Sequence, residues 1–180
     1  MAEDTGTRLV NAAVLEFNER GFSGTDTNRI ARRAGFAPQT FYRWFPDKTA
    51  IFIAAYQAWE DTEREMLANL LARKASTRRL VRAVVEHHRA HRIFRRSLRQ
   101  LAIEDPLVRR ARSDSRKRQL EQITSWQGRG DADVAALAVE LFKMERLADA
   151  LAEDEFEDLG LSAASAENAL AEIIEELRNA

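Results

Sequence analysis

Residues 26–48 read Asp-Thr-Asn-Arg-Ile-Ala-Arg-Arg-Ala-Gly-Phe-Ala-Pro-Gln-Thr-Phe-Tyr-Arg-Trp-Phe-Pro-Asp-Lys, and this order predicts two short helices joined by a tight turn. Asp26 is a good N-cap, and Ile30, Ala31 and Ala34 supply a narrow apolar face behind it. Gly35 breaks the helix. Pro38 then occupies a first-turn position, where its missing N–H is no loss. The second helix runs to about Trp44, Pro46 stops it, and Asp47 can cap the next. Two short helices joined by a glycine-containing turn form a helix-turn-helix, and the small residues Ala31, Ala34 and Gly35 permit a close crossing.

The second helix has the chemistry to read a major groove. Gln39 can bond adenine bidentately, Thr40 offers a hydroxyl and a methyl, and Arg43 can fork onto guanine or a phosphate. Tyr42 lies off the Phe41/Phe45 stripe, which is assigned to the core, and can reach a phosphate through its hydroxyl. Trp44 fits two placements, packed under the next helix or laid along the DNA backbone. Lys48 opens the following helix, within range of a phosphate. Residues 28–48 carry five basic side chains and one acidic one.

Working outward, Leu9, Ala13 and Phe17 recur every fourth residue, predicting a first helix that Gly21 ends. Downstream, a long helix is expected from Lys48 to about Ala72. Another should start at Ser76 or Thr77 and continue toward Ile93 and Phe94. Pro106 opens a third, with Leu107, Ala111, Leu120, Ile123 and Trp126 as its apolar positions, and Gly128 and Gly130 close it. Asp131 or Asp133 caps a helix over about 132–152. The acidic stretch 153–160 reads as a loop, and a last helix spans about 163–178. The chain is therefore expected to be all-α, a three-helix helix-turn-helix domain followed by a domain of about six helices.

From Arg8 to Tyr56 the chain resembles the N-terminal domain of the TetR family of transcriptional regulators. The resemblance is carried by Ala12-Ala13, Phe17, Gly21-Phe22, Ile30-Ala31, Ala34-Gly35, Phe41-Tyr42, Phe45 and Lys48. The run Phe41 to Lys48 is similar to that family's aromatic recognition-helix ending. The resemblance implies a DNA-binding domain over 1–50, an effector-binding and dimerisation domain over 51–180, and a homodimer. A small-molecule effector would release it from a pseudo-palindromic operator. It also implies DNA contacts at Thr27, Asn28, Gln39, Thr40, Tyr42, Arg43, Trp44 and Lys48. Three positions depart from the family pattern. Asp26 stands where Thr is favoured, Asn28 where a base-reading Arg is common, and Ala37 where a Ser usually caps the recognition helix.

Composition narrows the alternatives. The 180 residues hold no cysteine, which excludes a disulfide scaffold, a cysteine zinc site and thiol chemistry. No apolar run approaches the roughly 18 residues of a membrane helix, and the acidic Met1-Ala2-Glu3-Asp4 start is unlike a signal peptide. A soluble cytoplasmic protein without a cofactor is expected. No GxSxG, Walker A or GxGxxG motif is present, so no enzyme is expected. The net charge of -1 conceals a strong division: residues 73–118 carry 16 basic and 4 acidic side chains, residues 131–180 carry 3 and 14. Three roles fit the basic block: a second DNA surface, an anion-binding pocket, or a solvated face paired with the acidic segment.

Candidates for an effector pocket are Trp59, Met66, Phe94, Leu98, Trp126, Phe142 and Met144, apolar side chains of the central helices that could equally be core. The wide apolar faces of the last two long helices, with Leu137, Leu141, Ala148, Leu170, Ile173, Ile174 and Leu177, predict a dimer seam. His87 and His91 share a helix face as a two-ligand metal site would require, but the arginine-rich surroundings repel a cation, and a polar patch with His88 is preferred. The competing functional reading is a helix-turn-helix scaffold that has lost specific DNA binding and serves as a protein-interaction module or ligand carrier.

Overall fold

The computed structural model describes residues 4–127 and 133–179, with side chains described for 4–125 and 133–177. The described residues form ten α-helices and no strand. In chain order they are α1 (Thr5–Arg20), α2 (Thr27–Arg33), α3 (Pro38–Tyr42), α4 (Lys48–Ala72), α5 (Thr77–Ala90), α6 (Arg92–Glu104), α7 (Pro106–Gln127), α8 (Val134–Ala152), α9 (Glu155–Asp158) and α10 (Ala164–Asn179). None is long and apolar enough to cross a membrane. The chain is all-α, as the helical periodicity implies, and seven helices follow α3, one of them a single turn.

Two compact units can be distinguished: residues 1–65 with 93–111, and residues 66–92 with 112–180. In the first, Asp4 caps α1 by accepting the Gly6 N–H at 2.7 Å. Gly21 ends α1 at φ 68, a backbone conformation that favours glycine. The α1 stripe of Leu9, Ala13 and Phe17 is fully buried, as are Ile30 of α2, Phe41 of α3, Ile51 and Phe52 of α4, and Phe94 of α6. Phe52 is the hub of an aromatic cluster, with ring centroids 5.0 Å from Phe17, 5.0 Å from Phe94 and 5.3 Å from Phe22. Packing these four rings together, three of them fully buried and Phe22 partly so, supplies apolar area that holds α1, α2 and α3 against α4 and α6.

In the second unit, α5, α8 and α10 pack on one another around Val81, Val84, Val85, Ala148, Leu151, Ala166 and Leu170. Asp133 caps α8 by accepting from the Ala135 and Ala136 N–H groups; Asp131, the other expected cap, lies outside the described residues.

The structure corrects three expectations. The helix expected to run from Thr77 through Phe94 breaks at His91 (φ -121, ψ 23). No glycine or proline marks the break. It separates α5, which packs in the second unit, from α6, whose Phe94 and Leu98 are buried in the first. The stretch expected to be a loop over 153–160 contains the one-turn helix α9, entered through Asp154 at φ 60. Leu107, expected inside, is 60% exposed, and its neighbour Val108 is buried instead. A helix packed on one side buries whichever register its partner selects, and periodicity alone places that register only to within about one residue.

Candidate nucleic-acid interface

The helix-turn-helix is α2, the Ala34–Ala37 turn and α3. Asp26 caps α2 by accepting the Arg29 N–H at 2.8 Å. Gly35 adopts φ 80, and the Phe36 N–H reaches back to the Ala31 carbonyl at 2.9 Å, closing the turn. Ala37 occupies the N-cap of α3 without a side-chain hydrogen bond. The first turn of α3 thus lacks the capping that a serine would give.

Two residues that the sequence reading did not single out hold this arrangement. Arg8 of α1 donates from Nη2 to the Ala34 carbonyl at 2.7 Å and stacks over the Phe36 ring at 4.4 Å, clamping the turn from outside. Glu16 is buried, and its carboxylate lies 3.5 Å from Arg20, 3.8 Å from Arg29 and 3.4 Å from Arg33. Arg33 also hydrogen-bonds Glu19, which holds the Glu19 carboxyl below its ordinary range and raises the Arg33 pKa. Glu16 falls on the same stripe as Leu9, Ala13 and Phe17, so a carboxylate on an apolar face was the legible signal. Its partners, 13 and 17 residues away, were not.

These ion pairs sort the basic residues of the head. Arg29 and Arg33 face Glu16 and serve to seat α2 on α1. Arg32 and Arg43 are exposed, and their side chains make no ion pair or hydrogen bond with any described residue. Gln39 and Asn28 are likewise exposed and unengaged, and Thr40 is half-buried. The Tyr42 ring is 58% exposed, and its hydroxyl lies 3.0 Å from Thr27 Oγ1, tying the start of α2 to the end of α3. Phe41 is fully buried and Phe45 packs against the same core. Trp44 is half exposed, and the edge of its ring lies over Gly6, where an added Cβ would sit 2.8 Å from it. Trp44 therefore packs on the start of α1 while presenting its other edge to solvent.

Lys48 is placed differently from a free phosphate contact. Its ammonium donates to the carbonyls of Phe22 at 2.9 Å and Thr25 at 3.0 Å and lies 4.1 Å from the Phe22 ring centroid. Burial pushes its pKa below the ordinary 10.5, and the Asp26 carboxylate works against that shift. The Phe22 N–H is itself held by Ser97 Oγ of α6 at 3.1 Å, so the α1–α2 turn is fixed from both sides.

The other candidate groups divide between the two units. Trp59, Phe94 and Leu98 are buried in the first, where the Arg95 guanidinium covers the Trp59 ring at 4.6 Å. Met66, Phe142 and Met144 belong to the second, with Phe142 half exposed and Met66 and Met144 half-buried. Trp126 lies outside the described side chains. Phe142 lines an open groove of about 760 Å³ between α8 and α10, together with Val139, Leu147, Ile173 and the charged Arg146 and Glu172. Of the expected seam residues, Leu141, Ala148 and Leu170 are buried inside their own chain, Ile173 is nearly so, and Leu137, Ile174 and Leu177 are half-buried.

Among the described residues no three His, Asp or Glu side chains are placed to hold a metal ion. His88 is buried rather than part of a surface patch, with Nδ1 3.1 Å from Asp149 Oδ1, and His91 Nδ1 lies 2.9 Å from the His87 carbonyl.

Residues 9–55 match the family model described as bacterial regulatory proteins, tetR family. YdgC of Bacillus subtilis (strain 168), an uncharacterized HTH-type transcriptional regulator, is 36% identical over 64 residues, and that match covers 36% of this chain and 33% of YdgC. Over nearly the whole chain the fold is that of solved regulators at low identity. A regulator from Rhodococcus sp., assigned to the TetR family, superposes with TM-score 0.70 at 20% identity, covering 97% of this chain and 98% of its own. One from Mesorhizobium loti MAFF303099, of the same assignment, gives 0.68 at 23%, covering 96% and 94%. A transcriptional regulator from Saccharomonospora viridis, solved in complex with choline, gives 0.66 at 20%, covering 94% and 95%.

Proposed function

We propose that this chain, whose residues 9–55 match the family model described as bacterial regulatory proteins, tetR family, belongs to that family and is a DNA-binding repressor released from its operator by a small molecule. Residues 1–50 bind DNA and residues 51–180 carry dimerisation and effector binding. The observation that carries this reading is the outer face of α2 and α3. There the side chains of Asn28, Gln39 and Arg43 stand exposed without a partner among the described residues, on a scaffold fixed by Glu16, Arg8 and a buried aromatic cluster. Rigid placement of unengaged donors and acceptors is what base reading requires, because the ordering cost is met before DNA arrives.

In this reading Gln39 and Arg43 read base edges, with Thr40 and Asn28 beside them. Thr27, Tyr42 and Trp44 position the phosphate backbone. Lys48 acts mainly by bracing the α1–α2 turn. Two copies pair through the outer faces of α8 and α10, where Val139 and Phe142 are about half exposed beside Ile173. Leu137, Ile174 and Leu177 form the margin of that face. A two-fold dimer then presents two recognition helices to half-sites roughly 34–36 Å apart on a pseudo-palindrome. An effector that binds better to the form with the wrong head spacing shifts the population off DNA.

The test is selection of bound duplexes from a random pool, followed by a salt titration on the selected site and on random duplex. Enrichment of an inverted repeat supports the reading. No affinity for any duplex even at low salt would overturn it in favour of a protein-interaction module.

A further inference from the structure

We propose that the α4–α5 turn, with Arg73, Lys74, Arg78, Arg79 and Arg82, is a second contact surface for the phosphate backbone of duplex DNA, built from residues other than those of α3. This rests on the reading that the chain binds DNA.

The basic block of residues 73–118 is not uniform in the structure. Arg89 bonds the Leu151 carbonyl and Asp154. Arg112 and Arg116 share Glu145, Lys117 pairs with Asp114, Arg109 caps the Ala102 and Ile103 carbonyls, and Arg95 lies on the Trp59 ring. The five cations of the α4–α5 turn differ: each is exposed, and none of their side chains has an ion pair or hydrogen bond with a described residue. No Asp or Glu occurs from Met66 through Val85 to offset them.

Their placement is unfavourable for the isolated chain in two further ways. Arg78 and Arg79 lie in the first turn of α5, which holds no acidic residue, so two cations sit at the positive end of a helix. Lys74 adopts φ 53 at the end of α4, where glycine is ordinarily favoured. The Lys74 N–H and the Ala75 N–H bond the Leu71 and Leu70 carbonyls at 2.9 and 3.0 Å, which holds the turn in place. Mutual repulsion and the helix dipole still oppose the clustering of the side chains, and no contact from a described residue offsets them. An external polyanion would reverse both.

The chemistry favours phosphodiester over a membrane surface. Four of the five cations are arginines, whose planar fork matches phosphate oxygens. The apolar residues of α5, Leu80, Val81, Val84 and Val85, are all buried in the core of their own unit, leaving no exposed wedge to enter a bilayer.

The experiment compares the full chain with an R73Q/K74Q/R78Q/R79Q/R82Q variant by fluorescence anisotropy on a random-sequence duplex over a salt series. The wild-type log–log salt slope should exceed the variant's by roughly 0.9 for each phosphate contact removed, up to about 4.5 in all. A Q39A/R43A variant should keep that part of the slope. Should the five-fold variant fail to fold, R78Q/R82Q carries the same test with an expected change of about 1.8. An unchanged slope and affinity would overturn the inference. So would loss of binding to phosphatidylserine vesicles with the DNA slope intact. A wild-type chain that binds no duplex at low salt is a different result, because it refutes the regulator reading itself.

Discussion

Replacing Lys48 by Met separates two roles that one side chain could have, and the structure sets the expected size of the effect. The substitution keeps the alkyl stem and removes an ammonium that donates to the Phe22 carbonyl at 2.9 Å and the Thr25 carbonyl at 3.0 Å, over the Phe22 ring at 4.1 Å. Hydrogen bonds from a charged donor contribute about 1.5–3 kcal/mol each, and the cation–π contact adds about 0.5–1 kcal/mol. Against this, Met carries no desolvation penalty, the same penalty that lowers the Lys48 pKa. The Phe22 carbonyl also keeps a long bond from the Thr25 N–H at 3.4 Å, so the main loss falls on the Thr25 carbonyl, in a residue only 3% exposed. The net destabilisation should therefore approach that of one unmet buried acceptor, about 1–3 kcal/mol. For a chain of this size that is roughly 2–4 °C per kcal/mol in unfolding temperature. Thermal and urea unfolding of the free protein, followed by circular dichroism, measures it. An unchanged midpoint together with weakened DNA binding would refute the argument, because it would mean that the Lys48 ammonium is free to reach phosphate.

Other substitutions test other parts of the reading. Ala37→Ser should add the missing cap of α3 and raise stability by about 1 kcal/mol, read as a higher urea midpoint. Arg43→Ala should cost about 1–3 kcal/mol at one base position and relax selection there if Arg43 reads a base; uniform weakening across sequences, with a salt slope reduced by about 1, would assign it to phosphate instead. Phe142→Glu should give a folded monomer by light scattering, and an unchanged dimer would show that the outer face of α8 is not the pairing surface. Leu170→Glu is no substitute for that test: Leu170 is fully buried in its own chain, and the charge should unfold it.

The helix-turn-helix was legible because its signals are local. Asp26, Gly35, Pro38 and Pro46 each act on the backbone within a few residues, and the apolar stripe of α1 follows from a period of four. The break at His91 was not legible, since no turn residue marks it; the chain divides there because the apolar faces of α5 and α6 are buried in different compact units. The intramolecular partners of Arg29, Arg33 and Lys48 were not legible for a related reason. In sequence all three are cations near the second helix of the helix-turn-helix, and only Glu16 and the carbonyls of the α1–α2 turn, 13 to 26 residues away, assign them to holding the head together.

The sequence by itself therefore determined the helical class, the position of the helix-turn-helix and the side chains its second helix offers, because short-range sterics and capping act without regard to the rest of the fold. Tertiary structure alone decided which charges are left over. Whether an arginine is a strut or a free phosphate ligand depends on whether a carboxylate or carbonyl from a distant segment comes within about 4 Å of it. By that test Arg29 and Arg33 are struts, whereas Arg43 and the cations of the α4–α5 turn face outward without a partner among the described residues.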